Sequence, residues 1–248
     1  MKTIFLILLL FLGNLKAQNL KVDYDRVNKN TNNTLSTING DDSFKAKVGD
    51  ELKKAQKFTL YFLNGNTFFK NFPNPDINYV GETEKVDENT VKRKENTFTQ
   101  APVKIYHKKG DNGLYQYHNY NDNEFYHYAT FKYDKIEYKD ETELIENYKC
   151  KLVEITLNGS LFKVWYTEDV PVSAGPYMFN NLPGLVLKVD SPAYVIYATK
   201  ITNDGTSSEF ENLNPKLKVL NDEEFSKARN SFLEEIKKVK ETHTDIRL

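Results

Sequence analysis

Two histidines, His118 and His127, are the first residues that could do chemistry, because imidazole nitrogens bind metal ions and exchange protons near neutral pH. They flank a tight loop that we place between Tyr120 and Phe125. Pairing the two flanking strands sets His118 directly opposite His127, with Cβ atoms about 4.5–5.5 Å apart. Stable metal sites add a third or fourth ligand, and the same predicted face supplies no carboxylate. We therefore expect stacked or hydrogen-bonded rings, with no metal or other cofactor. The other members of the face are Gln116, Tyr120, Phe125 and Ala129.

Seven tyrosines between Leu114 and Tyr138 form the second candidate feature. A tyrosine combines an apolar ring with a polar tip, which suits recognition of a peptide, a glycan or a protein. Alternating tyrosines are also ordinary formers of a half-exposed strand, so a purely structural role stays open beside the binding role. The candidate aromatic binding surface consists of Tyr115, Tyr117, Tyr126 and Tyr128.

Three loop carboxylates could act as a general acid and base: Glu168, Asp169 and Asp190. The chain contains no Gly-x-Ser-x-Gly elbow, no His-Glu-x-x-His helix and no phosphate-binding glycine loop, so no complete catalytic signature accompanies them. The single cysteine, Cys150, could act as a nucleophile only as a partly exposed thiolate beside a base. It lies in a strand-like segment, and we expect it to be buried as a small hydrophobic residue.

The composition describes a globular protein with a substantial core. The 248 residues include 16 Phe, 16 Tyr and one Trp, which argues against wholesale disorder. The formal charge is −1, and few of the 34 basic residues are arginines, so nucleic acid is not the expected partner. One cysteine cannot form an internal disulfide, and the core must therefore supply the stability.

The N-terminal residues have the pattern of a targeting segment. Lys2 precedes an unbroken apolar run from Ile4 to Leu12, and Ala17 is a small residue suited to cleavage before Gln18. The apolar run is much shorter than the roughly 20 residues that cross a bilayer as a helix. We therefore predict a signal peptide over residues 1–17, export to the periplasm or the medium, and one domain over residues 18–248. No later stretch is long and apolar enough to span a membrane.

The elements that must position these residues are mostly strands. Leu20, Val22 and Tyr24 alternate with polar residues, and Phe58–Leu63 precedes an Asn-Gly hairpin turn. Eight further segments rich in β-branched and aromatic residues follow from residue 103 to residue 201, without intervening helices, which favours antiparallel pairing. Residues 28–42 are expected to form a long polar loop, residues 71–100 to be mainly irregular with one weak strand, and residues 46–56 to hold a short helix.

One amphipathic helix is predicted near the C-terminus. Asn221 is a suitable N-cap with Glu224 three residues later, and an apolar stripe follows at helical spacing: Phe225, Ala228, Phe232, Ile236 and Val239. Such a stripe usually packs on a core, and a partner-binding helix is the alternative. The expected fold is mainly β, an antiparallel curved sheet or partly open barrel with one C-terminal amphipathic α-helix.

Residues 165–190 form the most distinctive segment. Pro183-Gly184 suits the central positions of a type II turn, where glycine accepts a positive φ, and Gly175-Pro176 is a second chain breaker. The segment thus places two aromatic residues and two leucines around a rigid corner. Its candidate structural or partner-binding residues are Gly175, Pro176, Tyr177, Asn181, Leu182, Pro183, Gly184, Leu185 and Asp190.

This segment resembles the GLPGLI family of secreted bacterial proteins, also called the Porph_ging family, with the similarity running from about Phe125 to Ile201. Asn181 stands where that family usually has glycine, and Val186 where it has isoleucine. Because asparagine tolerates the left-handed region, the first replacement predicts a positive φ at Asn181. The resemblance implies a secreted or periplasmic β-rich protein, with no biochemical activity that can be carried over.

Taken together, the sequence predicts a non-catalytic binding or accessory module of the cell envelope. Its expected partners are an envelope or outer-membrane protein, a peptide or a glycan, and not nucleic acid. The alternative is a hydrolase of unfamiliar type that uses Asp190 or Glu168.

Overall fold

The computed structural model describes residues 19–38, 40–85, 91–203 and 208–242, so the predicted signal peptide lies outside the described residues. The strands are β1 (Leu20–Asn28), β2 (Gln56–Leu63), β3 (Asn66–Asn71), β4 (Ile77–Lys85), β5 (Val91–Phe98), β6 (Lys104–His107), β7 (Gly113–Tyr120), β8 (Asn123–Thr130), β9 (Lys135–Ile145), β10 (Tyr148–Leu157), β11 (Ser160–Thr167), β12 (Leu185–Asp190), β13 (Tyr194–Thr202) and β14 (Lys218–Leu220). The helices are α1 (Asn32–Ser36), α2 (Asp42–Lys53) and α3 (Asp222–Thr242).

Twelve of these strands form one open sheet in the order β14-β8-β7-β6-β3-β2-β1-β13-β12-β11-β10-β9. Neighbouring strands are antiparallel, except that β14 runs parallel to β8. The strands β4 and β5 form a separate hairpin. The predicted fold class, a mainly antiparallel curved sheet with a C-terminal helix, is confirmed.

Side-chain alternation places the main core on one face of the sheet. In β1, Leu20, Val22 and Tyr24 are all at most 1 % exposed, as their spacing predicts. The buried Tyr24 hydroxyl donates a hydrogen bond to the carbonyl of Val186 at 2.7 Å, so its polar tip is satisfied within the core. The contact ties β1 to β12, although the two strands are not neighbours in the sheet.

Residues 168–184, which we call the covering loop, close part of this core face. The loop buries several apolar residues against the strands: Val170, Val172, Ala174, Phe179 and Leu182. The amide of Val186 donates to the carbonyl of Ala174 at 2.9 Å, which fixes the loop beside β12. The loop therefore belongs to the core.

Tyr177 is the covering loop's main contact with the centre of the sheet. Its ring centroid lies 5.0 Å from that of Phe69, 5.7 Å from Tyr194 and 5.9 Å from Phe58. These partners belong to β3, β13 and β2, so one side chain joins three strands. Tyr177 itself has a φ of 54°, which is strained backbone for a residue with a ring.

The glycines of the covering loop do not act as the sequence predicted. None of Gly175, Gly184 and Asn181 is among the described residues that have a positive φ. The predicted type II turn at Pro183-Gly184 and the predicted positive φ at Asn181 are therefore wrong. The physical requirement is space: a Cβ on Gly175 would lie 2.1 Å from the carbonyl oxygen of Phe179, and one on Gly184 would lie 2.1 Å from that of Thr167.

The opposite face of the sheet carries a second aromatic cluster beneath residues 208–217, which we call the strap. Phe210, Leu213 and Leu217 of the strap pack on a group of largely buried rings: Tyr61, Phe68, Tyr106 and Tyr126. Glu211 of the strap accepts hydrogen bonds at 2.8 Å from both Lys104 and Tyr106. Rings therefore line both faces of the sheet.

Local signals set several boundaries correctly. The Asn64-Gly65 turn joins β2 and β3 with φ values of 54° and 89°. At the start of α3, the backbone amide of Asn221 donates to the Glu224 carboxylate at 3.0 Å. The backbone amide of Glu224 donates in return to the side-chain oxygen of Asn221, also at 3.0 Å. The short helix predicted within residues 46–56 is observed as α2, which begins earlier, at Asp42, and ends at Lys53.

Two segments that were expected to be irregular contain regular structure. Residues 28–42 hold α1, and residues 71–100 hold the β4–β5 hairpin. The hairpin was missed because Lys, Glu and Asn dominate its strands and have low strand preference. Both segments pack with α2 around an apolar cluster centred on Phe44, Val48 and Leu52.

Replacing Gly184 by Ala should destabilise the fold by about 1–3 kcal/mol, because the new methyl group meets fixed backbone. Gly159→Asn is the matched control: Gly159 has a φ of 73° and open space around its Cβ position, which asparagine tolerates. Urea unfolding of the two variants measures the difference. Equal stability of both variants would contradict the close packing at Gly184.

Candidate functional site

The two histidines share a face but are not directly opposite. The hairpin turn lies at Asn121 and Asp122, which have φ values of 50° and 63°, so His118 pairs with Phe125. His127 is then a diagonal neighbour of His118, with ring centroids 6.2 Å apart. The predicted register was wrong because the turn was placed too far along the chain.

Helix α3 covers the histidine pair. The Phe225 ring stacks on His127 with centroids 4.1 Å apart and lies 4.7 Å from that of His118. The Nε2 atom of His127 bonds Asp222 at 2.7 Å. Burial, with a smaller contribution from His127, lowers the pKa of His118 to about 4. Within the described residues no three metal-ligating side chains of the His, Cys, Asp and Glu types come together.

The four candidate tyrosines do lie on one face, opposite to the histidines. Tyr126 is only 2 % exposed, and its hydroxyl accepts a hydrogen bond from the Asn214 amide in the strap at 3.0 Å. Burial raises the pKa of Tyr115 and of Tyr117 to about 12, and hydrogen bonds to Asp111 and Glu124 add to the shift. A binding role for this surface stays a prediction.

Two of the candidate catalytic acids, Glu168 and Asp190, do not come together. Glu168 forms an ion pair with Lys151 at 2.7 Å, and Asp190 pairs with Lys29. Asp190 lies across from Lys163 in the β11–β12 register, whereas Glu168 follows the far end of β11. At about 3.3 Å per residue the two acids are roughly 16 Å apart, well beyond the separation of paired glycosidase carboxylates.

Cys150 is fully buried, as predicted. Burial raises the pKa of its thiol to about 12, with the charge of Glu143 as the next contribution. The thiol therefore stays protonated near neutral pH and is a poor nucleophile.

The cleft with the clearest binding chemistry lies where β1, β2 and β3 end beside α1 and α2. We call it the Arg26 pocket. Its volume is about 430 Å³, within the usual range of ligand pockets. Its lining combines apolar groups with many amides: Arg26, Asn28, Asn30, Thr31, Thr34, Leu52, Gln56, Phe58, Asn71, Phe98, Gln100, Ala101, Val103 and Ala193.

Arg26 is the one charged side chain of this lining. Its guanidinium carbon lies 4.5 Å from the ring centroid of Tyr194, and its Nη1 donates to Oε1 of Gln56 at 2.9 Å. Tyr194 in turn contacts Tyr177, so the covering loop supports the guanidinium from behind. The Nε atom of Arg26 is buried and has no hydrogen-bond partner in the described protein.

Gln100 presents a second unpaired donor. Its Oε1 accepts a hydrogen bond from the Asn74 amide at 3.1 Å, while its buried Nε2 has no partner in the described protein. The Asn74 side chain is held by Glu51, whose pKa is lowered by hydrogen bonds from Lys54 and Asn74. A buried donor without a partner is costly to the fold, so two of them in one cleft indicate a place for a ligand acceptor.

Sequence reasoning missed this pocket entirely. Its polar residues come from the ends of separate strands and loops, with no local spacing to join them. The available signal was the scarcity of arginine: Arg26 is one of few in a lysine-rich chain and lies at the end of a well-predicted strand.

The profile of the family described as N-glycanase peptide, N-terminal domain, matches residues 70–224, which is more than half of the chain. The chain belongs to this family. The match includes the covering loop and Gln100, whereas Arg26 precedes it.

The solved structure of PNGF-II in space group P21 shares the fold of this N-glycanase N-terminal domain. The structure in space group P21 aligns with a TM-score of 0.52 at 17 % identity, covering 86 % of this chain and 33 % of that protein. The structure in space group C2 gives a TM-score of 0.48 at 16 % identity, covering 83 % and 31 %. The chain thus spans about a third of the length of these proteins. No curated protein matches it.

These matches correct the family resemblance drawn from residues 125–201. The matched family is the N-glycanase N-terminal domain and not the GLPGLI family. The prediction of a non-catalytic envelope module, which depended on that resemblance, is therefore wrong as well. The misleading motif has a packing origin, because Gly175 and Gly184 are required where backbone segments approach closely.

Among the described residues, no helix has both the length and the apolar character needed to cross a membrane. Helix α3 is long but carries charges throughout.

Folding stability should fall as the pH drops from about 6.5 towards 4, because His118 is neutral in the fold and must take up a proton on unfolding. Its contribution is fully present above pH 6.5 and is lost as the pH approaches the folded pKa. His118→Gln should flatten this part of the urea-midpoint profile, because glutamine takes up no proton in this range. Identical slopes for wild type and His118→Gln would contradict the assignment.

Proposed function

We propose that this N-glycanase N-terminal domain takes part in removing N-linked glycans from glycoproteins, and that it binds the glycoprotein substrate in the Arg26 pocket. Membership of the family supports the process. The pocket supports the binding role, since it is the described cleft in which apolar walls meet unpaired buried donors.

The construction of the pocket suits a polar, oxygen-rich ligand. Phe58 and Val103 supply apolar walls, while Arg26 and Gln100 supply donors at fixed positions. Sugar rings have apolar faces and oxygen acceptors, so a glycan matches both features. The roughly 16 Å between Glu168 and Asp190 gives no paired-acid chemistry here, and the contribution of the described residues is to hold the substrate.

A complex-type N-glycopeptide should bind the purified protein, and the same peptide without its glycan should not, as measured by isothermal titration calorimetry. Arg26→Gln should weaken binding about tenfold or more, because a hydrogen bond to a charged group contributes about 1.5–3 kcal/mol. Lys57→Gln is the control, since that exposed lysine pairs with Asp25 outside the pocket lining.

Thermal unfolding of both variants checks that each one folds. Equal affinity for the two peptides, or equal affinity of Arg26→Gln and the control, would remove the proposal.

The same proposal includes export, because glycoproteins are secreted or surface molecules. Residues 1–17 act as a signal peptide, and residues 18–248 form one exported domain. Expressed with these residues in a Gram-negative host, the protein should appear in the periplasm or medium with an intact mass that begins at Gln18. A cytoplasmic product that retains residues 1–17 would contradict it.

A further inference from the structure

We propose that the Arg26 pocket selects a carboxylate-bearing sugar, so that it reads acidic glycans in preference to neutral ones. The inference rests on the proposed glycoprotein-binding function and names the ligand class of the same site. It follows from the kinds of hydrogen-bonding groups that the pocket leaves free.

The buried groups of the pocket lining that lack a protein partner are donors. Three side-chain amide oxygens of the lining are already occupied by protein donors. Gln56 accepts from Arg26, Gln100 accepts from the Asn74 amide, and Asn71 accepts from the Val103 amide at 2.7 Å. The buried groups left without partners are the Arg26 Nε and the Gln100 Nε2, which are both N–H donors.

The orientation of these amides is fixed by their partners. A guanidinium and a backbone amide can only donate, so the oxygen of Gln56 must face Arg26 and the oxygen of Gln100 must face Asn74. The nitrogen of each amide therefore points away from its partner. In Gln100 this leaves a donor of defined position beside the pocket.

The charge of the lining points the same way. The lining contains the guanidinium of Arg26 and no carboxylate. The nearby acids are neutralised by partners outside the lining: Glu51 by Lys54 at 2.9 Å, and Asp190 by Lys29. A carboxylate only accepts hydrogen bonds and carries a negative charge, so it matches buried donors beside a guanidinium better than a neutral hydroxyl does.

The test compares 3′-sialyllactose, its methyl ester and lactose by isothermal titration calorimetry on the full protein, with an aspartate-containing tripeptide as another source of a carboxylate. Sialyllactose should bind at least about tenfold more tightly than the other three probes, since hydrogen bonds between charged groups are stronger than neutral ones. The preference should shrink at high salt, because screening weakens the attraction.

Gln100→Glu is the decisive variant. It keeps the size of the side chain and the oxygen that accepts from Asn74, but it replaces the free donor with a negative oxygen. Sialyllactose affinity should fall about tenfold or more, while Lys57→Gln, which changes the net charge equally, should keep it. Arg26→Lys, which retains the charge but loses the Nε donor, should also weaken binding and serves if Gln100→Glu fails to fold.

Each other outcome counts against the inference. Binding of the methyl ester or of lactose as tight as that of sialyllactose would overturn the carboxylate preference, yet glycopeptide binding would still support the proposed function. Tight binding of the tripeptide alone would assign the carboxylate to a peptide side chain and overturn the sugar. If neither these probes nor the glycopeptide bound, both proposals would fall together.

Discussion

The contact of Tyr177 with three strands is the interaction on which the site depends. An open sheet of twelve strands exposes a broad apolar face, and the covering loop closes it by placing this ring between Phe58, Phe69 and Tyr194. Tyr194 then forms the surface on which the Arg26 guanidinium rests. The position of a charged donor at the pocket is thus fixed by core packing, and the left-handed backbone of Tyr177 is held by the same contacts.

Much of the fold could be predicted because its signals are local. Alternation in β1, the Asn64-Gly65 turn and the Asn221–Glu224 capping box each act within a few residues, and each is present in the structure. The β7–β8 register failed for a related reason: Asn121, Asp122 and Asn123 all suit a turn. A shift of the turn by one position moves every cross-strand pair without changing which residues share a face.

The candidate site could not be predicted because its residues meet only in three dimensions. Arg26, Gln56 and Gln100 come from β1, β2 and the segment after β5, and residues 71–100, which end with Gln100, were expected to be mainly irregular. The glycines of the covering loop misled for a physical reason as well. A glycine in a turn sequence suggests a positive φ. Gly175 and Gly184 are instead required because they lack a Cβ, which would clash with the backbone of residues elsewhere in the chain.

The central claim is that glycan binding occurs where the ends of β1, β2 and β3 meet, at the Arg26 pocket. A nuclear magnetic resonance titration with a complex-type N-glycopeptide tests it directly, because the Nε–H of Arg26 and the Nε2 protons of Gln100 are buried and separately observable. The account predicts that these two side-chain signals shift together and saturate with the affinity measured by calorimetry. Shifts confined to the surface of Tyr115, Tyr117 and Tyr128, with both pocket signals unchanged, would contradict it.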